Sequence, residues 1–445
     1  MLQLRRSAVL FSAILLAAAV NSPVHAAPSA SPSFSPAHLS AATPLEWSER
    51  MANSEMQRDG KKLEAAPAGN GGWDYTTGLY ADALIKLTDA TGDPAYEKDA
   101  EATIGSFIGT SGTIATYEKK RPRPKRSPGQ PSPKPTADEG LPTVKIPYSL
   151  DDVQSGVALL KLYDITHDER YHKAADILRD QLRKHPRIPE GGFFHKAIYP
   201  NQMWLDGLYM GEPFYARYAA RFGEPQDFDD ITNQFTLIGD HTYDPKTGLF
   251  YHGWDESKKQ LWANPQTGAS PSFWGRAIGW YAMALVDVLD VMPKNNPGRA
   301  KLLDLVQKAA GGILKNQDPK TGVWWQVTDQ PGHEHNYMES SASSMFVYFL
   351  AKAVNNGYLP PSDTPAIEKG YQGLIQQFIT ASPDGKTINL THVCKVAGLS
   401  KSRGGTYKYY TQQEPIVSND LKGVGPFITA GMECEKLFGN EKFGP

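Results

Sequence analysis

Hydrophobic and polar residues form two kinds of helical pattern along this chain. Six segments have one strongly charged face, and this pattern predicts helices that lie at a surface. They cover residues 45–59, 94–108, 169–184, 226–241, 298–316 and 364–380. Six other segments are rich in Gly, Ala and aromatic residues and carry few charges, which predicts helices that are covered on most sides. These cover residues 75–88, 149–163, 205–220, 274–290, 339–354 and 420–437.

The two kinds of segment alternate, which predicts an all-α fold: an (α/α)6 barrel with six inner and six outer helices. An open stack of helical hairpins is the alternative. A closed ring is favoured because each charge-poor segment needs cover on both sides. Two loops repeat the same turn sequence, Asp244-Pro245-Lys246-Thr247-Gly248 and Asp318-Pro319-Lys320-Thr321-Gly322. Asp-Pro-x-x-Gly is typical of turns, so we expect short extended segments after them.

The N-terminal residues predict export. Arg5 and Arg6 precede an apolar run, and Val24-His25-Ala26 supplies small residues at a cleavage position. Residues 1–26 are therefore interpreted as a signal peptide. The Ser-, Pro- and Ala-rich residues 27–43 are expected to be a disordered leader, followed by a single catalytic domain over residues 44–445. We therefore expect the mature protein in a periplasm or outside the cell, with no membrane contact after cleavage of the signal.

A basic, Pro-rich insertion interrupts the helical pattern at residues 119–145. Proline excludes helix there, and we interpret the insertion as a solvated linker, with attraction of an acidic polysaccharide as the alternative. The formal net charge of the whole chain is −2, which gives no electrostatic reason to expect nucleic acid as a partner. The two cysteines, Cys394 and Cys434, are compatible with a disulfide or with two buried thiols. The oligomeric state is left open.

Polar and aromatic residues are concentrated where the inner helices are predicted to begin. If these ends surround one opening of a barrel, their free N–H groups would line a funnel that suits an anion. The segments are Trp73-Asp74-Tyr75, Ser149-Leu150-Asp151-Asp152, Gln202-Met203-Trp204-Leu205-Asp206, Phe273-Trp274-Gly275-Arg276, Asn336-Tyr337-Met338-Glu339-Ser340-Ser341 and Ser418-Asn419-Asp420.

Asp206 is the strongest catalytic candidate among these residues, although Asp at a helix start is more often a cap. The flanking Met203, Trp204 and Leu208 would raise its pKa, whereas the helix dipole and Arg276 would lower it. His333-Glu334-His335 lacks a third ligand nearby, so we predict no metal. No motif in the sequence requires a cofactor.

Three blocks closely resemble the unsaturated rhamnogalacturonyl hydrolases of glycoside hydrolase family 105. They lie within residues 192–211, which include Trp204-Leu205-Asp206-Gly207-Leu208-Tyr209-Met210, and within 247–256 and 273–281. The resemblance runs from about Leu45 to Phe438, excluding the basic insertion. It implies an (α/α)6 barrel and the removal of a 4,5-unsaturated galacturonic acid from the non-reducing end of rhamnogalacturonan lyase products.

The resemblance also implies roles for particular residues. Asp206 would be the general acid/base that hydrates the C4=C5 enol ether, and Asp151 the second essential carboxylate. The implied substrate-binding residues are Tyr75, His195, Trp204, His252, Trp274, Arg276 and Trp280. Among these, the histidines would hydrogen-bond the uronate, the tryptophans would stack on sugar rings, and Arg276 would hold the uronate carboxylate.

Other functions remain compatible with the sequence. The aglycone is open, because related enzymes act on unsaturated glucuronyl and other unsaturated uronyl linkages. An ordinary inverting glycosidase that acts on saturated sugars is a second possibility. A non-catalytic oligosaccharide-binding protein, with the aromatic funnel as its binding site, is a third.

Overall fold

Helices make up the larger part of the chain that the computed structural model describes, which is residues 39–59, 73–115 and 148–445. Twelve α-helices lie within these residues, and they alternate between an outer and an inner set. The outer helices are α1 (Pro44–Asp59), α3 (Pro94–Gly105), α5 (Glu169–Lys184), α7 (Asp227–Thr242), α9 (Arg299–Lys315) and α11 (Thr364–Phe378). The inner helices are α2 (Tyr75–Thr91), α4 (Gly156–Thr166), α6 (Leu205–Phe222), α8 (Gly275–Val291), α10 (Ser340–Asn355) and α12 (Leu421–Phe438).

The inner helices close into a ring. Each one packs against the next, from α2 through α4, α6, α8 and α10 to α12, and α12 packs against α2. Each outer helix covers a neighbouring inner helix, with α3 on α2, α5 on α4, α7 on α6, α9 on α8, α11 on α10 and α1 on α12. The predicted (α/α)6 barrel is therefore confirmed, and the inner helices are charge-poor because they are buried from both sides.

The second inner helix departs from the prediction of one continuous segment over residues 149–163. Residues Leu150–Asp152 form a short 3₁₀ turn, and α4 begins only at Gly156. The Leu150 N–H donates to the carbonyl of His195 over 3.1 Å, and Ser149 pairs with Lys196. These contacts with a distant loop compete with helix formation. They also hold Asp151 beside that loop.

Short antiparallel strand pairs lie in the loops. They are β1 (Gln202–Trp204) with β2 (Gly253–Asp255), β3 (Ile379–Ala381) with β4 (Ile388–Leu390), and β5 (Val393–Cys394) with β6 (Ile416–Val417). The first pair comes directly before α6 and places Trp204 opposite Gly253.

The repeated Asp-Pro-x-x-Gly turns form as predicted. The Asp244 carboxylate accepts from the N–H groups of Lys246 and Thr247, and the carboxylate of Asp318 makes the equivalent bonds in the second copy. Gly248 has a φ of 80°, a conformation that favours glycine.

Several sequence predictions concern residues outside the described part. The predicted signal peptide, most of the predicted leader and the basic insertion at 119–145 all lie there. Residues 39–43 of the predicted leader are described, however, and Ala42 is buried and pairs with Phe443, so this part packs against the domain. Cys394 and Cys434 are two buried free thiols. Of the helices within the described ranges, none has the length and apolar character needed to cross a bilayer.

Candidate active site

Carboxylates cap three of the inner helices. Asp74 accepts a hydrogen bond from the N–H of Thr76 at the start of α2. Glu339 accepts from Ala342 at the start of α10, and Asp420 accepts from Lys422 at the start of α12. Asp420 is therefore the cap that its position suggested. Asp206 is different, because Trp204 occupies the cap position of α6 and Asp206 lies in the first helical turn.

Asp206 is held beside His252 by the β1–β2 pair. Strand β1 ends at Trp204 and β2 begins at Gly253, and these two residues face each other. The N–H of Leu205 donates to the carbonyl of His252 over 2.9 Å, which brings the residue after β1 to the residue before β2. As a result, Nε2 of His252 lies 3.0 Å from Oδ2 of Asp206. The site thus contains a carboxyl group, on a side chain that is 12 % exposed, in contact with a buried imidazole.

The pKa of Asp206 lies below its ordinary value. Burial raises this pKa, but the nearby imidazole of His252 and then that of His195 lower it by more when they are charged. Burial acts as the sequence suggested, but the side chains that lower the pKa are these two histidines rather than Arg276, and together they favour the ionised form. In the free protein at neutral pH, Asp206 is a carboxylate, and it can act as an acid only if a ligand raises its pKa.

Asp151 lies next to the same histidine cluster. Its Oδ1 is 3.5 Å from Nε2 of His195, and its Oδ2 pairs with the ammonium group of Lys196. The His195 ring stacks on Trp204, with 4.4 Å between the ring centroids. Burial lowers the pKa of His195 to about 4, so this ring is neutral near pH 7. The structure thus brings Asp151, His195, Trp204 and Asp206 together, as the sequence resemblance implied.

Two predicted tryptophans are packed more deeply than expected. Trp274 and Trp280 are each 1 % exposed. The ring of Trp274 stacks on Tyr410, and that of Trp280 stacks on Tyr209 at 4.8 Å. The interpretation of these two rings as open sugar-stacking walls is therefore corrected: their contacts are with other protein rings.

Arg276 and Tyr75 occupy neighbouring positions in the barrel mouth. Arg276 is buried, and its Nη1 donates to the carbonyl of Cys394, so the guanidinium is already partly bound within the protein. Its Nε has no acceptor among the described residues. Burial and the charge of Asp151 raise the pKa of Tyr75 well above its ordinary value, while Arg276 lowers it. The hydrogen bonds of Arg276 are made by Nη1, so the bidentate contact with a uronate carboxylate that the resemblance implied stays a prediction.

Sequence reasoning missed three residues of this site. Lys196 pairs with Asp151, and its place directly after His195 in the matching block was a usable signal. Asp152 was given no role of its own, yet burial and then Asp151 raise its pKa to about 7. The hydroxyl group of Tyr410 lies 2.6 Å from Nδ1 of His252. It is 158 residues away along the chain, and no local pattern indicates the contact.

A separate cavity of about 1000 Å³ contains none of the predicted site residues. Trp262 lines it and also packs against Trp204, so it lies close to the site. Its carboxylate side chains outnumber the one lysine, Lys258, and would repel an anion. They are Glu190, Asp240, Asp244 and Glu256. A uronate is therefore expected at the barrel mouth rather than in this cavity.

Comparison with known proteins identifies the family. Residues 47–438 match glycosyl hydrolase family 88. The chain belongs to this family. A solved glycoside hydrolase from family 105 of C. acetobutylicum ATCC 824 is 42 % identical and superposes with a TM-score of 0.77. The alignment covers 87 % of this chain and 99 % of that one. The protein is thus a glycosidase of the family 88 and 105 group, whose members act on unsaturated uronyl sugars.

Curated relatives match about half of this family 88 chain. Protein Atu3128 of Agrobacterium fabrum is 40 % identical over 232 residues, which are 50 % of this chain and 97 % of the relative. The unsaturated rhamnogalacturonyl hydrolase YesR of Bacillus subtilis is 30 % identical over 46 % of this chain and 58 % of its own length. An unsaturated glucuronyl hydrolase specific for heparin is 13 % identical with a TM-score of 0.61, which shows the shared fold alone.

Proposed function

We propose that this glycosidase removes a 4,5-unsaturated galacturonic acid from the non-reducing end of rhamnogalacturonan lyase products. The observation that carries the proposal is the buried Asp206 carboxyl group, 3.0 Å from His252 at the mouth of the barrel. The similarity to YesR supports the choice of aglycone. We also propose that the protein is exported, on the basis of the signal-like residues 1–26.

The chemistry follows from the enol ether formed by the C4=C5 bond and the ring oxygen. Asp206 in its acid form protonates C4, and the resulting cation is shared between C5 and the ring oxygen. Water then adds at C5 and gives its proton to the Asp206 carboxylate, which restores the acid. The hemiketal opens to a ketone at C5, which leaves a hemiacetal at C1 that releases the aglycone.

The negative charge of the substrate favours the protonated form of Asp206 that this mechanism needs. Asp206 is ionised in the free protein because His252 and His195 lower its pKa. The substrate carries its own carboxylate on C5, next to the reacting bond. A second negative charge at this distance raises the pKa of a buried carboxyl group. Binding therefore favours the protonated form of Asp206 at the moment when an acid is required.

The other residues of the mouth are assigned to holding the substrate and water. Asp151, held by Lys196 and His195, would orient the water that attacks C5. Arg276 would direct its open Nε toward the uronate carboxylate, and Tyr75 would contact the same sugar. The buried tryptophans would shape the mouth rather than stack on the sugar through an open face.

An unsaturated glucuronyl substrate is the second candidate. An unsaturated 3S-rhamnoglycuronyl hydrolase of Formosa agariphila is 29 % identical over 53 % of this chain, close to the value for YesR. The galacturonyl and glucuronyl rings differ only in the configuration at C4, and that difference disappears when C4 becomes part of the double bond. The two candidates therefore differ in the aglycone and the linkage. The residues around Asp206 are assigned to the unsaturated ring, so they do not distinguish the two.

The test follows the ultraviolet absorbance of the conjugated double bond in unsaturated rhamnogalacturonan disaccharide. Wild-type protein should abolish the absorbance and release rhamnose, and Asp206→Asn should do neither while keeping its circular dichroism spectrum. Asp164→Asn, at an exposed ion pair with Arg221, is the matched control and should remain active. Activity of Asp206→Asn would remove Asp206 from its role. Activity of the wild type on the saturated disaccharide would contradict the hydration mechanism.

A further inference from the structure

Each nitrogen atom of the His252 ring lies close to a polar side chain. Nε2 lies 3.0 Å from Oδ2 of Asp206, and Nδ1 lies 2.6 Å from the Tyr410 hydroxyl. Both His252 and Tyr410 are fully buried. A neutral imidazole carries one hydrogen, and the hydrogen bond made by one nitrogen determines which form faces the other partner. The hydrogen bond between Nδ1 and Tyr410 therefore influences whether Nε2 presents a hydrogen or a lone pair to Asp206.

Tyr410 is held firmly in place. It lies in a π-helical turn, Tyr409–Gln413, of a type that is often found at functional sites. Its ring stacks on Trp274 with 5.6 Å between centroids and an interplanar angle of 15°. Its carbonyl accepts from Nε2 of Gln326 over 3.2 Å, and Oε1 of Gln326 accepts from Nε1 of Trp274 over the same distance. The hydroxyl group is thus aimed at Nδ1 by contacts on the ring and on the backbone.

Resting on the proposed function, we infer that Tyr410 is a positioning residue for the acid/base Asp206. Its hydroxyl donates to Nδ1 of His252 and keeps the ring hydrogen on Nε2. Nε2–H then faces Oδ2 of Asp206 at 3.0 Å, and neither atom has another hydrogen-bond partner among the described residues, so a small rotation of the carboxyl group lets Nε2–H donate to Oδ2 whether or not Oδ1 carries a proton. Oδ2 faces the imidazole, so Oδ1 is the oxygen that gives the proton to C4 and later takes one from water.

The opposite arrangement would be unproductive. If Nδ1 carried the hydrogen and donated to Tyr410, Nε2 would present a lone pair to Asp206. A carboxylate beside that lone pair would be repelled, and a protonated Asp206 would turn its proton toward the imidazole rather than the substrate. The other titratable group that acts on Asp206 is His195, which is neutral near pH 7 because burial lowers its pKa. It therefore does not replace the donor that His252 supplies.

The first test is Tyr410→Phe, which removes only the hydroxyl group. We expect kcat to fall about 10- to 100-fold with KM nearly unchanged, because orientation of the reacting group is lost while binding is not. The pH limb that reports Asp206 should move to higher pH, since its carboxylate loses part of its stabilisation. Unchanged kcat and pH profile would overturn the inference.

Tyr409→Phe is the matched control in the same turn. Its hydroxyl group pairs with Glu414 and accepts from the N–H of Gly398 over 3.1 Å. Like Tyr410 it is buried, so both variants remove a buried hydroxyl group from one short segment. Tyr409→Phe should keep the wild-type pH profile, and a shift as large as that of Tyr410→Phe would reduce the role of Tyr410 to local structure and overturn the inference.

A second measurement needs no substrate and separates this inference from the proposed function. In ¹⁵N-histidine-labelled free protein, His252 should show its hydrogen on Nε2 and a non-protonated Nδ1, with its signals assigned by their loss in His252→Gln. Tyr410→Phe should change the Nδ1 signal. A wild-type ring protonated at Nδ1 near pH 7 would overturn the inference, even if the enzyme proved to act on another unsaturated sugar.

Discussion

Asp152→Asn should make the folded protein more stable, and by an amount that depends on pH. Asp152 is partly buried in the 3₁₀ turn beside Asp151. Burial, followed by the charge of Asp151 and then that of Asp74, raises its pKa from 3.8 to about 7, although Lys196 lowers it. Ionised Asp152 is therefore less stable in the folded chain than in the unfolded one. Asparagine has the shape of aspartate but no charge, so it should remove this cost.

The sign and size follow from the two pKa values. Between them, the folded state binds more protons than the unfolded state, so the stability contributed by this group is lost as the pH rises from about 4 to about 7. The pKa changes from 3.8 to about 7. At about 1.4 kcal/mol per unit, discounted for partial exposure, the cost above the folded pKa is about 2–4 kcal/mol. Asp152→Asn should recover this amount at about pH 8 and almost none at about pH 4.

Urea unfolding of both proteins across this pH range measures the difference. Other groups titrate in both proteins, so their effects cancel when the two free energies of unfolding are subtracted at each pH. Asp164→Asn, at an exposed ion pair, should change the free energy of unfolding by at most about 1 kcal/mol. A difference for Asp152→Asn that stays constant with pH would refute the reasoning, because it would mean that Asp152 ionises equally easily in both states.

Two further predictions concern stability and the shape of the site. Lys352→Met should lower the free energy of urea unfolding by about 3–5 kcal/mol, because it leaves the carboxylate of Asp287, 2.6 Å from the lysine Nζ, buried without its cation. Gly207→Ala would place a Cβ 3.3 Å from Nδ1 of His195 and 3.1 Å from Leu150. It should lower kcat/KM roughly 10-fold by displacing His195, while a melting curve shows stability kept or raised.

Each of these variants has a control within the same barrel. Lys308→Met breaks the exposed pair with Asp304 and should cost at most about 1 kcal/mol. An equal loss in both lysine variants would contradict the role of burial. Gly311→Ala, where nothing lies within 4 Å of the added Cβ, should leave activity unchanged. If Gly207→Ala were also fully active, His195 would not depend on the close approach of Gly207.

The sequence determined the helices and their inner or outer position, because both are local properties. The charged face of α5 and the Gly- and aromatic-rich surface of α8 are readable at a period of 3.6 residues. The turns at Asp244 and Asp318 were equally readable, since their side chains bond to backbone groups two and three positions ahead. The block around Asp206 also marked the place where the chemistry is concentrated.

Tertiary structure decided the surroundings of those residues, because these depend on groups far apart in the chain. The 3₁₀ turn at Leu150–Asp152 forms where the sequence predicted helix, since it bonds to the loop at His195 and Lys196. The low pKa of Asp206 requires His252, and Nδ1 of His252 requires Tyr410. Periodicity reports which face of a helix is buried, but it does not report which side chain from another element meets it. Electrostatic and hydrogen-bonding partners are therefore fixed only when the ring closes.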